Sequence, residues 1–468
     1  MIVLKASEIA LIVGGELKGS DVSITAPPVF DSGKATPGSI FLALKGEKTD
    51  GHNFITDAFT HGAVLAFVTA ASAERCIVVP DVLKALNKLA AHVRNQLKDL
   101  QVIAVTGSQG KTTTKDLLQH ILENLGKTVA PPGNFNNELG TPITLLQCEE
   151  DTKFCILEMG ARHIGDIAQL CKMAKPNIGM VLRVGTAHIG EFGSAEAVAQ
   201  AKSEMISSLR PDAIAILGQY DAFTPRMISL HKGKTISFGE TTSADVRATD
   251  IEIREGRPHF DLVTSAGRAA VGLRVVGIHQ VANALAAAAA ASALGASIDQ
   301  IAVSLSTADI RSKWRMEIQE LRNIVLINDS YNSSPESVEA ALRTLVLFAQ
   351  ERGGQSWAFL GKMHELGESS VARHADIGTL ASELGIDHLV CIGAPEYSSK
   401  ISTSAATEIH LFKEKVDAVQ LVHEMSAGDV VLVKASRAEK FEELAQAISI
   451  KIEAVISAVS EDNKEGER

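Results

Sequence analysis

The sequence has few cysteines, few aromatic residues and no excess of basic charge. Five of its 468 residues are cysteines, with no C-x-x-C pair, which argues against disulfides or a zinc site and favours free buried thiols in a reducing compartment. Lysine and arginine number 45 against 56 acidic residues, so the net charge is −11. General nucleic-acid binding requires a basic surface, and we therefore expect no nucleic-acid partner.

Long apolar runs are also missing. No segment approaches the ~18 uninterrupted apolar residues of a membrane span. Lys5, Glu8 and Glu16 interrupt the N-terminal stretch, which therefore does not read as a signal peptide. We expect no membrane insertion and a cytoplasmic location. An apolar content of 46% is ample for several cores, and the length predicts about three domains.

The most informative segment is a glycine loop between an apolar run and a helix. Residues 102–105 predict a buried strand, and Gly107 and Gly110 allow the turn that follows it. Lys111 and Thr112 then open a helix. Backbone N–H groups at such a turn and helix N-terminus bind anions. We therefore expect Lys111 to contact the outer phosphates of a nucleoside triphosphate and Thr112 to ligate Mg²⁺.

This loop departs from the strict Walker A pattern. That pattern has a glycine six residues before the lysine, where this chain has Val105. The loop is the shorter form G-x-x-G-K-T. On this motif alone, a chance glycine turn before a helix is the alternative.

Alternating strand and helix patterns predict an α/β protein in three blocks. Residues 1–98 mix short strands with helices. Residues 99–313 alternate apolar strands with helices, which predicts a mostly parallel sheet with helices on both faces. Within this block, residues 235–276 favour an antiparallel flap. Residues 314–468 predict a second α/β unit.

Polar residues follow apolar strands at several further positions. Glu158 ends the strand predicted at 154–157, and His188 follows the next strand, so both are candidate metal ligands at the carboxyl edge of the sheet. Residues 328–335 form a candidate ligand loop in the third block. The plainer alternatives are a glutamate that only ends a strand, a surface histidine and an ordinary Asp/Asn/Ser turn.

Two residues carry little signal by themselves. Lys202 lies on a strongly helical stretch, where an exposed lysine is the ordinary interpretation. Asn283 stands near the start of an alanine-rich helix, which favours a helix cap over a contact with adenine.

Together these segments resemble the Mur ligase family, the ATP-dependent amide-forming enzymes of peptidoglycan synthesis, over nearly the whole chain. The family's motifs occur in order at residues 106–115, 158–160, 184–188, 201–204, 279–285 and 329–332. Residues 133–142, 190–194 and 360–368 resemble segments of those members that add D-alanyl-D-alanine to UDP-N-acetylmuramoyl-tripeptide. The resemblance implies these two partners, ATP, and amide formation through an acyl phosphate.

The resemblance also implies a domain organisation. We expect a uridine-nucleotide domain at 1–98, a central domain with a P-loop-type sheet at 99–313, and a Rossmann-like domain at 314–468, in a chain that is a monomer. The nearest alternatives are a sibling ligase that adds the third residue and a ligase like folylpolyglutamate synthase. The resemblance at residues 134–142 argues against both of these ligases. A protein that uses ATP only as a switch is the alternative from another class.

The resemblance implies roles residue by residue. Lys111, Lys202 and His188 would be catalytic. ATP would be bound by Gly107, Ser108, Gln109, Gly110, Lys111, Thr112, Thr113, Asn283, Arg315, Asp329 and Tyr331. Two Mg²⁺ ions would be held by Thr112, Glu158, His188 and a carbamylated Lys202. The uridine-nucleotide substrate would contact Ser32, Asn136, Asn137 and Thr141.

The chain departs from the family's pattern at three places. Gly33 and Lys34 follow Asp31-Ser32 where arginine is common, Arg183 replaces an asparagine or threonine, and Lys362 replaces an aspartate. These changes affect the expected contacts to the uridine nucleotide, the neighbourhood of His188 and the third-domain contacts. None of them touches the phosphate loop.

Overall fold

The computed structural model describes residues 1–46, 49–70, 75–133, 135–185, 189–309 and 311–465, with side chains as far as residue 454. In these ranges no helix combines the length and the apolar character needed to cross a membrane. All five cysteines are buried free thiols, as the sequence predicts.

The described residues of the N-terminal part form two small sheets. Its elements are β1 (Leu4–Lys5), α1 (Ala6–Val13), β2 (Glu16–Lys18), β3 (Ser23–Ile24), β4 (Ile40–Leu42), α2 (Ile55–Thr60), β5 (Leu65–Val68), β6 (Cys76–Val78) and α3 (Val82–Gln96). β1 pairs with β3, and the other sheet has the order β2-β6-β5-β4. Helix α3 begins where the carboxylate of Asp81 accepts a hydrogen bond from the Lys84 N–H at 2.9 Å. Its Leu86, Leu89 and Val93 are buried, as their helical spacing predicts.

The central part is built on one large sheet. Its elements are β7 (Gln101–Thr106), α4 (Lys111–Glu123), β8 (Thr128–Val129), α5 (Gly140–Leu146), β9 (Phe154–Glu158), α6 (Asp166–Ala174), β10 (Ile178–Val181), α7 (Ile189–Phe192), α8 (Ala195–Ser207), β11 (Ile214–Gly218), β12 (Lys234–Gly239), β13 (Val246–Arg254), β14 (Arg257–Thr264), β15 (Gly267–Gly272), α9 (Gln280–Ala293) and α10 (Ile298–Thr307). The strand order is β15-β14-β13-β12-β11-β10-β7-β9-β8.

Both faces of this sheet are covered. Val102 and Ala104 of β7 belong to one apolar core, and Ile103 and Val105 belong to another on the opposite face. The strands from β8 to β13 pair in parallel, whereas β13, β14 and β15 pair antiparallel. The flap predicted at 235–276 is therefore wrong for β12, which pairs in parallel with β11. The antiparallel strands extend the central sheet because β13 continues the hydrogen bonding of β12.

The C-terminal part is a second α/β unit. Its elements are β16 (Glu317–Leu321), β17 (Ile324–Asn328), α11 (Pro335–Arg352), β18 (Ser356–Leu360), α12 (Ser370–Glu383), β19 (His388–Ile392), β20 (Glu408–Phe412), α13 (Lys415–Ala418), β21 (Val430–Lys434) and α14 (Phe441–Glu465). The sheet order is β16-β17-β21-β18-β19-β20, with β16 antiparallel to β17 and the other pairs parallel. The predicted α/β fold class is confirmed, while the boundaries at residues 98 and 313 stay predictions.

Candidate active site

The predicted phosphate loop joins the end of β7 to the start of α4. Gly110 has a φ of +82° and immediately precedes the helix. A Cβ at this position would lie 2.2 Å from the Asn283 Oδ1 atom, so the loop requires glycine here. The Lys111 ammonium donates a hydrogen bond to the Gly107 carbonyl at 2.8 Å. The side chain of Lys111 thus folds back over the predicted phosphate loop.

Glu158 lies beside this loop because β7 and β9 are neighbouring parallel strands with Val105 opposite Glu158. Its side chain is buried, and both carboxylate oxygens accept hydrogen bonds. The Thr112 hydroxyl donates to one oxygen at 2.9 Å, and the Asn136 amide donates to the other at 2.9 Å. Thr112 and Glu158 therefore present adjacent oxygen atoms, the ligand type that Mg²⁺ prefers.

Lys202 is buried on α8, so its interpretation as an exposed helix lysine is wrong. Burial, followed by the charge of Lys111, lowers the pKa of Lys202 to about 7. Burial also lowers the pKa of Lys111, and the charge of Arg315 adds to this, while the charge of Glu158 acts in the opposite direction. The fold thus brings predicted residues from four separate segments into one electrostatic neighbourhood.

Arg315 and Tyr331 approach this neighbourhood from the C-terminal part. The guanidinium carbon of Arg315 lies 4.0 Å from the ring centroid of Tyr331, in a cation–π contact. Burial raises the pKa of Tyr331 against the opposing charge of Arg315. Among the residues that the structure describes, the buried Nε atom of Arg315 has no hydrogen-bond partner. This guanidinium can therefore donate to an anionic ligand.

Asp329 is held within the C-terminal part. One of its carboxylate oxygens accepts from the Lys434 ammonium at 2.5 Å, and the other accepts from the Met316 N–H at 3.2 Å. Lys434 is the last residue of β21 and is almost fully buried. The predicted contact of Asp329 with nucleotide stays a prediction.

Gln109 joins the phosphate loop to the C-terminal part. Its side-chain amide donates to the Ser334 hydroxyl and to the Glu336 carboxylate, both at 3.1 Å. Ser334 is the N-cap residue of α11. The loop predicted to bind phosphate therefore faces the start of a helix in the next unit.

Ser108 fixes the loop to the segment that follows β10. Its hydroxyl accepts from the Gly185 N–H at 2.8 Å, and its own N–H donates to the Arg183 carbonyl at 2.9 Å. Thr113 is buried at the start of α4. Ser108 and Thr113 thus lie in the loop and at the start of the helix that follows it. Their contacts with ATP stay predictions.

Asn283 does not cap α9, and that expectation is wrong. The helix begins at Gln280 with His279 as N-cap, which puts Asn283 inside it. The Asn283 amide donates to the Gln280 side chain at 2.8 Å, and its oxygen lies 3.5 Å from the Thr114 hydroxyl. Asn283 is thus packed against the helix that carries the phosphate loop.

The residues predicted to contact the uridine nucleotide divide into two groups. Asn136 contacts Glu158, as described above. Asn137 caps the turn before α5, where its oxygen accepts from the Gly140 N–H at 2.9 Å, and the Thr141 side chain is fully buried. Ser32 lies in a separate 3₁₀ turn, half-buried. The substrate contacts of all four stay predictions.

An aromatic contact brings the N-terminal part against this segment. The rings of Phe30 and Phe135 lie with their centroids 6.1 Å apart. Phe30 is two residues before Ser32, and Phe135 immediately precedes Asn136. The two predicted substrate-binding segments therefore approach each other.

Comparisons with known proteins match most of the chain. Models of the Mur ligase catalytic domain, the Mur ligase middle domain and the glutamate ligase domain match residues 29–107, 105–291 and 314–437. The chain is 38% identical to UDP-N-acetylmuramoyl-tripeptide–D-alanyl-D-alanine ligase of Mycobacterium tuberculosis, covering 96% of this chain and 98% of that protein. This chain belongs to the Mur ligase family.

Solved structures of family members agree. MurF from Acinetobacter baumannii superposes with a TM-score of 0.87 at 34% identity, covering 96% of this chain and 99% of that one. MurF from Thermotoga maritima, solved in complex with ADP, gives a TM-score of 0.80 at 29% identity, covering 92% and 98% of the two chains. The Mur ligase fold predicted from the motifs is confirmed.

Some features of this Mur ligase site escape sequence reasoning. Lys434 ends an apolar strand, the same pattern that identifies Glu158, and could have been found by applying that rule to β21. The contact between Gln109 and Glu336 joins residues far apart in the chain, and no local signal marks it. His188 lies outside the described residues, so its metal-binding role stays a prediction.

Proposed function

We propose that this chain joins D-alanyl-D-alanine to UDP-N-acetylmuramoyl-tripeptide, with ATP, in peptidoglycan synthesis. One observation carries the proposal: Thr112 of the phosphate loop and Asn136 of the predicted substrate segment share the carboxylate of Glu158. A triphosphate on the loop and an acceptor at Asn136 would therefore meet at this carboxylate. The relatives whose names describe this reaction support the choice of substrates.

ATP fits the residues around the loop. The first backbone N–H groups of α4 have no partner within the helix, as at the start of any α-helix, and Gly110 keeps the approach free of a side chain. The buried Nε of Arg315, without a hydrogen-bond partner among the described residues, is suited to a phosphate oxygen. Lys111 supplies a further positive charge, and a bound triphosphate would favour its protonated form.

Mg²⁺ fits the oxygen atoms of Thr112 and Glu158. When bound, it would neutralise the charge of the phosphates and so reduce their repulsion of the acceptor carboxylate. Asn136 holds the second oxygen of Glu158 and so fixes the orientation of the ligating carboxylate. A second ion, held by His188 and Lys202, is part of the proposal.

The reaction joins two anions before it forms the amide. The terminal carboxylate of the tripeptide attacks the γ-phosphorus of ATP, which gives an acyl phosphate and releases ADP. The amine of D-alanyl-D-alanine then attacks the acyl carbon, loses a proton and displaces phosphate. Lys111 and Arg315 act as fixed positive charges at this site, because the step requires charge stabilisation more than proton transfer.

Lys202 is suited to carbamylation, and we include that modification in the proposal. Its amine is buried and has a pKa of about 7, so much of it is unprotonated at neutral pH. An unprotonated amine adds to CO₂ and releases a proton, which gives an anionic carbamate. The change replaces a cation that Lys111 repels with an anion able to support a metal ion.

Carbamylation can be tested by NMR with ¹³C-labelled bicarbonate. We expect a carbamate carbonyl signal in the wild type and in Lys172→Met, which alters an exposed lysine on α6. We expect no such signal in Lys202→Met, and recovery of Lys202→Ala activity by short carboxylates. A wild type without the signal would count against the modification.

Product mass tests the function itself. The chain is incubated with Mg²⁺, ATP, D-alanyl-D-alanine and a tripeptide nucleotide ending in diaminopimelate or lysine. We expect one phosphate released for each product, whose mass is that of the tripeptide nucleotide plus that of the dipeptide, less one water. ATP hydrolysis that does not depend on the peptides would instead indicate a nucleotide switch. In a parallel incubation, a product formed from the nucleotide without its third residue and a single amino acid would indicate a sibling ligase.

A further inference from the structure

Within the described residues, a set of metal-ligating side chains lies apart from the ATP site, in the C-terminal sheet. It consists of His388, Glu408 and His410, whose ligand atoms all lie within 4.8 Å of one another. His388 on β19 stands in register with Glu408 on the neighbouring parallel strand β20. His410 is two residues beyond Glu408, so both side chains project from the same face.

The separations between these atoms suit a single small metal ion. His388 Nδ1 lies 3.3 Å from His410 Nε2 and 3.6 Å from a carboxylate oxygen of Glu408. His410 Nε2 lies 3.8 Å from the other oxygen. A tetrahedral Zn²⁺ with bonds of about 2.0–2.1 Å keeps its ligand atoms roughly 3.3 Å apart. Small side-chain adjustments would therefore bring all three atoms to a bonding distance.

The surroundings of His388 orient its ring for this role. The Nε2 atom lies 3.1 Å from the Gln355 side-chain oxygen, an acceptor, which places the ring proton on Nε2 and the lone pair on Nδ1. The ring stacks on Trp357 with centroids 3.6 Å apart, and the Trp357 N–H donates to Asp429 at 3.0 Å. Gln355 and Trp357 are thus positioning residues for a ligand atom that faces His410.

Carboxylates lie near this cluster, and solvent reaches it. Burial lowers the pKa of His388, whereas the negative charges of Glu408, Asp387 and Glu424 oppose that shift. Glu408 is also exposed, with 61% of its side chain accessible, so the cluster can be reached from solvent. An ion could therefore enter without opening the fold.

We propose that His388, Glu408 and His410 bind one Zn²⁺ or a similar late transition-metal ion, which clamps the edge strand β20 to β19. Two imidazoles and a carboxylate select such ions over Mg²⁺, so this site differs in chemistry from the oxygen-lined site at Glu158. It uses no cysteine, so the scarcity of cysteine does not argue against it. Three protein ligands leave one position for water.

Co²⁺ is the probe for this site, because tetrahedral Co²⁺ absorbs visible light strongly and octahedral Co²⁺ absorbs weakly. The full chain is stripped with EDTA and titrated with Co²⁺ in excess Mg²⁺, which occupies the sites that prefer oxygen. We expect a band that saturates at one equivalent and is abolished by Zn²⁺. A wild type without this saturable band would overturn the proposal.

Variants assign the band to these residues. We expect His410→Ala to abolish it, Glu408→Gln to weaken binding at least tenfold, and Gln355→Leu to weaken it roughly 10–100-fold. His61→Ala is the matched control, because His61 is also paired with a carboxylate, that of Asp57, yet lies in the N-terminal part. It should bind as the wild type does. Unchanged binding in Glu408→Gln, an exposed substitution that should leave folding intact, would overturn the assignment even if His410→Ala misfolds.

Hydrogen exchange tests the clamp. A strand at the edge of a sheet has one neighbour, so a metal tie to β19 should slow the opening of β20. We expect Zn²⁺ to slow amide exchange at residues 408–412 in the wild type and not in Glu408→Gln. Equal exchange at these residues with and without Zn²⁺ would overturn the clamp.

Discussion

At the scale of single residues, the buried Lys202 and the half-buried Lys111 set the electrostatics of the ATP site. Burial lowers the pKa of both Lys111 and Lys202, and the charge of Lys111 lowers that of Lys202 further. Glu158 favours the protonated form of Lys111. The charge of Glu158 thus counteracts the effect of burial on the pKa of Lys111, whereas the charge of Lys111 adds to the effect of burial on the pKa of Lys202.

Replacing Lys111 tests its role as a fixed charge. Lys111→Ala should lower kcat by roughly 10²–10³-fold, because the loss of one electrostatic donor costs ~3–4 kcal/mol of transition-state stabilisation. Phosphate release at saturating substrate measures this. Lys172→Ala removes an exposed lysine from α6 and should retain wild-type turnover. Near-normal turnover in Lys111→Ala would refute the role.

Lys202 should make stability depend on pH in a predictable direction. Its pKa is about 7 in the folded chain against an ordinary 10.5. Between these values the unfolded chain binds a proton that the folded chain does not, so stability rises with pH, by at most about 1.4 kcal/mol per unit. Below pH 7 both states are protonated, and the full cost of burying the charge is present.

Melting curves in CO₂-free buffer check this direction. The Tm of the wild type minus that of Lys202→Met should increase from pH 7 to pH 10, because the variant lacks the titrating group. The corresponding difference for Lys172→Met should stay flat over the same range. A flat difference for Lys202→Met as well would contradict the perturbed pKa.

At the scale of elements, the turn between β7 and α4 depends on Gly110. Alanine there would combine a left-handed φ of +82° with a Cβ 2.2 Å from Asn283. Gly165 is a matched control, since it also precedes a helix with positive φ, at +103°, but a Cβ there meets nothing within 4 Å. Both alanine variants carry backbone strain of about 1–2 kcal/mol, and Gly110→Ala adds a collision.

We therefore expect Gly110→Ala to weaken ATP-analogue binding much more than Gly165→Ala does, as measured by calorimetry. Shortening the Asn283 side chain should separate the backbone strain from the collision. Gly110→Ala should cost less affinity in an Asn283→Ala background than in the wild type, because the collision with the Asn283 side chain is then relieved. Equal affinities in Gly110→Ala and Gly165→Ala would show that the contact with Asn283 does not matter.

Elements of this fold differ in how far the sequence predicts them. The buried strands β7, β9 and β21 consist mainly of consecutive apolar residues. Each ends in a polar residue, and this pattern predicts a candidate ligand. The edge strands β16 and β20 give no such signal, because their polar and apolar residues mix and a strand that pairs on one side needs no apolar run. Helix periodicity placed Lys202 on a helix, but only tertiary packing determines that its side chain is buried.

Partners of the predicted residues were the least predictable feature. The Asn136 amide reaches Glu158 across 22 positions of sequence, and Gln109 reaches Glu336 across 227. Such contacts depend on strand order and on the docking of whole units, which local patterns do not encode. The resemblance to a family supplied the residues, whereas the geometry between them required the structure.

At the scale of the whole molecule, the phosphate loop and the C-terminal part are joined through Gln109. Its amide bonds to Ser334 and Glu336 at the start of α11, while Arg315 and Tyr331 come from the same part. If ATP contacts both Lys111 and Arg315, binding requires the two parts to be docked. Hydrogen bonds that stabilise the docked arrangement should then increase the affinity for ATP.

Glu336→Ala tests this coupling, with Glu339→Ala as its control. Glu339 lies about one turn further along α11, where it pairs with Arg343. Loss of one hydrogen bond of about 1 kcal/mol should raise the KM for ATP about fivefold in Glu336→Ala, and the control should stay near the wild type. Small-angle scattering should also show less compaction of Glu336→Ala with an ATP analogue and the tripeptide nucleotide. Equal KM values and equal compaction in the two variants would mean that docking does not depend on this contact. The bound ligands alone would then have to bring the two parts together.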